Sequence, residues 1–279
     1  MEADDFELLR LRIRLHHTQV GDEERRPFRR DPERAPLASR RTVPQRRDEV
    51  DALDERAPRL RLIYESGTIE TQPDVLPLSI GDGELHDTAL TTVSVPEIFA
   101  YWLQGGRIGV GFLGGAQVDR FGNLNSTVIG PYASPSVRLP GGGGAPEIAT
   151  GCAKVYIIMP QTRRAFVERV DFVTSLGHGP TGRERRALGI AAEGPALLVT
   201  DLCMMTPDPE TKEFEVVSLH PGVTREAVRE QTGWPVRFAA AVGATPPPDR
   251  TELETLRDLQ ARTARAHAAR VAVPARGRA

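Results

Sequence analysis

The sequence predicts an α/β protein built on an open sheet. Three observations carry that expectation: short apolar β-type runs recur along the chain, helical patterns at 96–104, 223–232 and 251–268 interrupt them, and turn residues separate the two kinds of segment. A sandwich would show strands without those helices.

The organising stretch is Leu60-Arg61-Leu62-Ile63-Tyr64-Glu65-Ser66-Gly67, read as a buried strand closing on one carboxylate and a turn. In open α/β sheets ligands collect at the carboxyl ends of strands, which makes Glu65 the first candidate for chemistry. Gly67, lacking a side chain, lets a substrate approach the main chain. The competing reading is a solvated strand-end acid.

Before this stretch the chain is different. Residues 7–15 fit a short helix or a strand. Residues 21–60 hold 11 Arg, 10 acidic residues and 5 Pro, but no Ile and two Val. Such a segment cannot bury enough apolar surface to offset its ordering entropy. Residues 1–58 are therefore expected to be an Arg-rich, poorly ordered segment, with a short helix near 47–56. The main α/β domain spans 59–249, and a C-terminal helix and tail span 250–279.

Past Glu65, residues 68–83 read as a loop with a short apolar element. Val95–Gln104 reads as a helix with Pro96 in its first turn and an apolar stripe at 98, 99, 102 and 103. Strands follow at 107–113, 153–159, 166–172, 196–201 and 214–219, and a strand start follows the Arg120–Asn123 turn. Residues 175–185 read as a surface loop. Pro246-Pro247-Pro248 precedes the last helix.

The totals exclude several classes. A net charge of −2 gives no pull towards nucleic acid or an anionic membrane. No apolar run approaches the ~20 residues of a membrane span. Two cysteines, Cys152 and Cys203, supply neither a disulfide framework nor a metal quartet, and no metal site is expected. The acidic N-terminus is unlike a secretory signal, so a cytoplasmic protein is expected. Gly109-Val110-Gly111 has the wrong spacing for a dinucleotide fingerprint. Gly141–Gly144 is either a flexible loop or a cradle of main-chain N–H groups for an anion. His178 and His220 read as structural, Cys152 as a small buried hydrophobe, and Asp119 and Asn123 as caps of local N–H groups.

Taken in order, Tyr64-Glu65-Ser66-Gly67, Leu78–Asp82, Gly114–Thr127, Gly141-x-Gly143-Gly144-Ala145, Arg164–Ser175 and Gly182-Arg183-Glu184-Arg185 resemble the β subunits of family I coenzyme A-transferases, of the glutaconate CoA-transferase type. The likeness covers about residues 60–245. It implies an open sheet of the NagB/RpiA/CoA-transferase type, a CoA-transferase α subunit as partner, acyl-CoA and a carboxylic acid as substrates, and no permanently bound cofactor. It also implies Glu65 as nucleophile, and Gly141, Gly143, Gly144 and Ala145 as the loop over the reacting thioester. Ser66, Gly67, Gly114, Gly115 and Gln117 are expected to shape the site. Two competitors stay open: an acyl-CoA hydrolase on the same scaffold and an inactive structural subunit.

The sequence departs from the family in one place. Residues 17–58 contain neither the apolar strand nor the Gly-x-Gly-x-Pro turn that precede the glutamate in the family. Their composition resembles out-of-frame translation of a GC-rich gene, with the family pattern resuming near Ala57. Reading the coding DNA in its other frames tests this.

Overall fold

The computed structural model describes residues 61–271, with side chains through Ala268. The expectations for 1–58, including a helix or strand at 7–15, a short helix at 47–56 and the frame of 17–58, lie outside the described residues, as do Leu60 and the end of the tail.

The chain runs through β1 (Thr68–Thr71), α1 (Gly83–Asp87), β2 (Ala89–Thr92), α2 (Val95–Glu97) and a π-helical turn (Ile98–Leu103). It continues with β3 (Val110–Leu113), β4 (Gln117–Val118), β5 (Leu124–Asn125), β6 (Val128–Ile129), β7 (Val137–Arg138), α3 (Ala145–Gly151) and β8 (Lys154–Ile158). Then come α4 (Glu184–Ala187), β9 (Gly194–Val199), β10 (Cys203–Pro207), β11 (Phe214–Leu219), α5 (Arg225–Glu230), β12 (Arg237–Ala244) and α6 (Arg250–Val271). Six strands make an open mixed sheet in the order β12-β11-β10-β9-β8-β3, and β3, β8 and β9 run parallel. Among the described residues, β3 is one edge of that sheet.

Alternation along β8 divides the core. Val155 and Ile157 join the large cluster with Leu103, Ala149, Cys152 and Phe214. Tyr156 faces the other way with Leu197 and Val199, and its ring meets Phe112 edge-on at 5.8 Å. Gly111 lies where α3 crosses β3: a Cβ there would sit 2.6 Å from Ile148 Cγ2, so this glycine serves helix-on-strand packing. Cys152 and Cys203 are fully buried, and burial pushes each thiol up to about 12. α6 buries Leu256 and ties back to the front of the domain through Leu76 N–H donating to Thr263 Oγ1 at 2.9 Å. No helix among the described residues is long and apolar enough to cross a membrane.

Several expectations need correcting. The described residues before Glu65, 61–64, are not a sheet strand: Ile63 makes an isolated bridge to Ile69, because the chain reverses at once and pairs with its own continuation. Residues 166–172 form no strand either. Phe166 bridges Val118 and stacks on Trp234 at 5.7 Å, and the segment beyond it leaves the ladder. Residues 175–185 are not a plain surface loop, since Ser175, His178 and Arg185 are buried. The Arg185 guanidinium donates to the carbonyls of Leu176, Gly177, Ala149 and Ala192, stitching this loop to α3 and to the approach to β9. α1, α3, β10 and β12 were not expected at all. β10 and β12 owe their conformation to pairing on either side of β11, since Cys-Met-Met and Ala-Ala-Ala carry little intrinsic strand preference.

Candidate active site

Glu65 stands at the tip of a tight reversal. Gly67 N–H donates to Tyr64 O at 3.0 Å, Tyr64 N–H donates to Thr68 O at 3.0 Å, and Val93 N–H donates to Gly67 O at 2.9 Å. Gly67 has φ +108°, and a Cβ there would run into the Val93 carbonyl, so only glycine closes this turn. Beside the glutamate, Ser66 Oγ and Thr68 Oγ1 are buried and have no hydrogen-bond partner among the described residues.

The glycine loop reaches the same place from the other side. A Cβ on Gly144 would lie 2.6 Å from Glu65 Oε2, and one on Gly143 would lie 4.0 Å from Glu65 Oε1. The carboxylate thus rests against the bare backbone of 143–144. That backbone is fixed from behind: Gly141 N–H donates to Ser126 O at 2.9 Å, Ser126 Oγ donates to Gly141 O at 2.8 Å, and Thr174 Oγ1 accepts from Ser126 N–H at 2.9 Å. Ala145 N–H donates to Gly142 O at 2.9 Å, closing a turn into α3. The Gly141 and Ala145 amides are therefore committed. Among the described residues the Gly143 and Gly144 amides have no acceptor, which leaves them available to a ligand.

Two further residues complete the surroundings. Phe99 Cε1 lies 2.8 Å from the same Gly144 Cβ position as the carboxylate, so ring and carboxylate converge on one point. Glu147 stands in the first turn of α3. Burial, and then the charge of Glu147, hold the Glu65 carboxyl above the usual carboxylate range. Neither residue was singled out from the sequence as part of the site. The signal for Glu147 was there, because Ala-Pro-Glu after glycines is a helix start. No comparable signal marks Phe99.

The other expected site residues lie one layer back. Gln117 is buried; its Oε1 accepts from Asn125 Nδ2 at 2.7 Å and from Asp171 N–H at 3.0 Å. Asn125 precedes Ser126, so Gln117 reaches the glycine loop only through β5. Gly114 and Gly115 pack against the carbonyls of Ile158 and Asn125, each 3.2 Å from where a Cβ would stand. Asp119 caps local N–H groups as expected, its Oδ1 accepting from Phe121 N–H at 3.0 Å, but Asn123 does not: its Oδ1 accepts from the distant Gly177 N–H at 2.9 Å and so ties the turn to the 175–185 segment. His178 contacts Pro195 O at 2.8 Å and lies in the interior; burial lowers its pKa to about 4. His220 is held between Thr200 O and Thr245 Oγ1, both at 2.8 Å. Among the described residues no three His, Cys, Asp or Glu side chains converge as a metal set would.

A half-buried carboxylate of raised basicity, against two unused main-chain donors, is suited to nucleophilic attack on an acyl carbon with the resulting oxyanion held nearby. The profile of the family described as Coenzyme A transferase matches residues 50–231. The chain belongs to the coenzyme A transferase family. It is 60% identical over 211 residues to the B subunit of the 3-oxoadipate CoA-transferase of Pseudomonas knackmussii, covering 76% of this chain and 81% of that one. It is 38% identical over 196 residues to the B subunit of the glutaconate CoA-transferase of Acidaminococcus fermentans, covering 67% and 71%. The crystal structure of glutaconate coenzyme A-transferase from Acidaminococcus fermentans superposes with a TM-score of 0.67 at 32% identity, covering 72% of this chain and 78% of that one. This CoA-transferase chain is thus of the β-subunit type, and its open mixed sheet is the architecture of that structure.

Proposed function

We propose that the chain, paired with an α subunit, transfers CoA between an acyl-CoA and a carboxylic acid through covalent intermediates on Glu65. The observation that carries this reading is the seating of the Glu65 carboxylate against Gly144, next to two amides with nothing else to bind. Glu65 attacks the thioester carbonyl carbon, and the negative charge moves to its oxygen. The Gly143 and Gly144 amides, which no other acceptor among the described residues engages, would receive it, an interaction worth about 3–4 kcal/mol per donor in acyl transfer. The CoA thiolate then leaves, and the acyl group and Glu65 form a mixed anhydride. The thiolate adds to the glutamyl carbon, the acyl group departs as a carboxylate, and Glu65 holds CoA as a thioester. A second carboxylate retraces these steps and leaves as the new acyl-CoA. Binding of the remote CoA portion must help drive the first attack, because a carboxylate is a weak nucleophile towards a thioester. Coenzyme A thereby enters as substrate.

The identity to the corresponding chain of the 3-oxoadipate enzyme supports a dicarboxylic, 3-oxo acid as acceptor. The test co-expresses the chain with its α-subunit neighbour, supplies an acyl-CoA, and adds hydroxylamine or borohydride. A mass change confined to the peptide carrying Glu65 is expected, with transfer to 3-oxoadipate exceeding transfer to a monocarboxylic acid. Glu65→Gln is expected to lose both the label and, on the order of a lost covalent nucleophile, at least ~10³-fold in kcat. A label on another residue, or full activity in Glu65→Gln, would overturn the mechanism.

A further inference from the structure

The run Ile98-Phe99-Ala100-Tyr101-Trp102-Leu103 takes a π-helical register: Gln104 N–H donates to Phe99 O and Arg107 N–H to Trp102 O, both at 2.9 Å. Such turns are uncommon, have poorer geometry than an α-helix, and recur at functional sites. Neither proline nor glycine within the six residues forces it. The wider turn has a structural result. Ile98 and Leu103, five residues apart, are both buried, while Phe99 between them reaches out to Gly144. Its ring and the Glu65 carboxylate both approach the place that a Gly144 Cβ would take, at 2.8 Å for Phe99 Cε1 and 2.6 Å for Glu65 Oε2.

This placement matters for the covalent chemistry above, on which the inference rests. A glutamyl-CoA thioester can also react with water: the water oxygen bonds to the glutamyl carbon, the C–S bond breaks, CoA leaves as the thiol with one water proton, and Glu65 returns as the carboxylate with release of the other. That side reaction consumes acyl-CoA without transferring anything. An aromatic ring that shares with the reacting carboxyl the space over Gly144 leaves less room there for the competing water, and excluding water is a role of closed active sites in general. We propose that Phe99, presented by the π-helical turn, positions Glu65 and shields its acyl and CoA intermediates from water, so that the group passes to a second acid and not to solvent.

The test compares wild type, Phe99→Ala and Phe99→Leu, each assembled with the α subunit. CoA release is measured with and without acceptor acid, in water enriched in ¹⁸O, and heavy oxygen is sought in the Glu65 peptide. Phe99→Ala is expected to raise the ratio of acceptor-independent release to transfer by about 10-fold or more and to put ¹⁸O into Glu65. Phe99→Leu, which keeps an apolar side chain there, should fall between. Should the alanine variant not fold, the ratio in Phe99→Leu decides. An unchanged ratio, even with slower transfer, would leave Phe99 a packing residue and overturn the inference while the covalent mechanism stands. Wild type giving neither transfer nor a Glu65 adduct would instead overturn the mechanism itself.

Discussion

Glu65 and Glu147 show how one acid prepares another. Burial alone discourages ionisation of Glu65, and the Glu147 charge adds to that. A more basic carboxylate is a better nucleophile, provided it is still ionised at working pH. Because both effects raise the pKa, Glu65 takes up its proton at a higher pH than a solvated glutamate. The acid limb of kcat/KM should therefore lie above the usual carboxylate range. Glu147→Gln removes the repulsion and is expected to move that limb to lower pH, with a modest fall in kcat on the plateau. A pH–rate profile of both proteins checks this. An unmoved limb would separate Glu147 from the titration of Glu65. Glu147 lies at the surface, so its loss should leave thermal stability nearly unchanged.

At the scale of elements, the junction of the glycine loop with α3 decides whether the Glu65 carboxylate fits against the loop. Gly144 caps the helix with φ −86° and ψ 0°, angles open to alanine, so the need for glycine here is spatial and not conformational. Gly144→Ala should lower kcat by about 10² or more, as misplacement of a reacting group does, while the melting temperature shifts by only a few degrees. A steady-state assay beside a thermal scan distinguishes this from general unfolding. On their own residues the glycine run could be a flexible loop and the glutamate a solvated acid. It is the likeness to the family, several motifs in one order, that singles them out in the sequence, and the structure brings the two together. The reversal at Tyr64–Gly67 reads in the sequence as the end of a strand, since Leu-Ile-Tyr has strand preference; the Ile63–Ile69 bridge and the bond from Tyr64 N–H to Thr68 O show that the chain folds back on itself there. The helix at 96–104 was legible as helix but not as a π turn. Its register follows from which side chains find the core, which periodicity does not encode. β12 was invisible for a similar reason: Arg-Phe-Ala-Ala-Ala becomes a strand by lying beside β11.

Across the whole molecule, interior polar groups tie distant segments together and make the fold sensitive to acid. His178 is neutral when folded, with its pKa lowered from 6.5 to about 4, chiefly by burial. Between those values the unfolded chain binds a proton that the folded chain does not, so stability falls as pH drops from about 6.5 towards 4. The contribution is on the order of 3 kcal/mol, and it is fully present only above the unfolded value. His178→Asn should flatten that slope in chemical denaturation curves taken across the range; an equally steep slope would assign acid sensitivity to other groups. The same interior holds both sulfurs. Cys152 and Cys203 expose no surface, and burial keeps their thiols protonated far above neutral pH. A chain that handles a thiol-bearing substrate risks capturing it as a mixed disulfide under oxidising stress. With both cysteine thiols sealed in the core, the folded chain offers such a substrate no cysteine partner for oxidation.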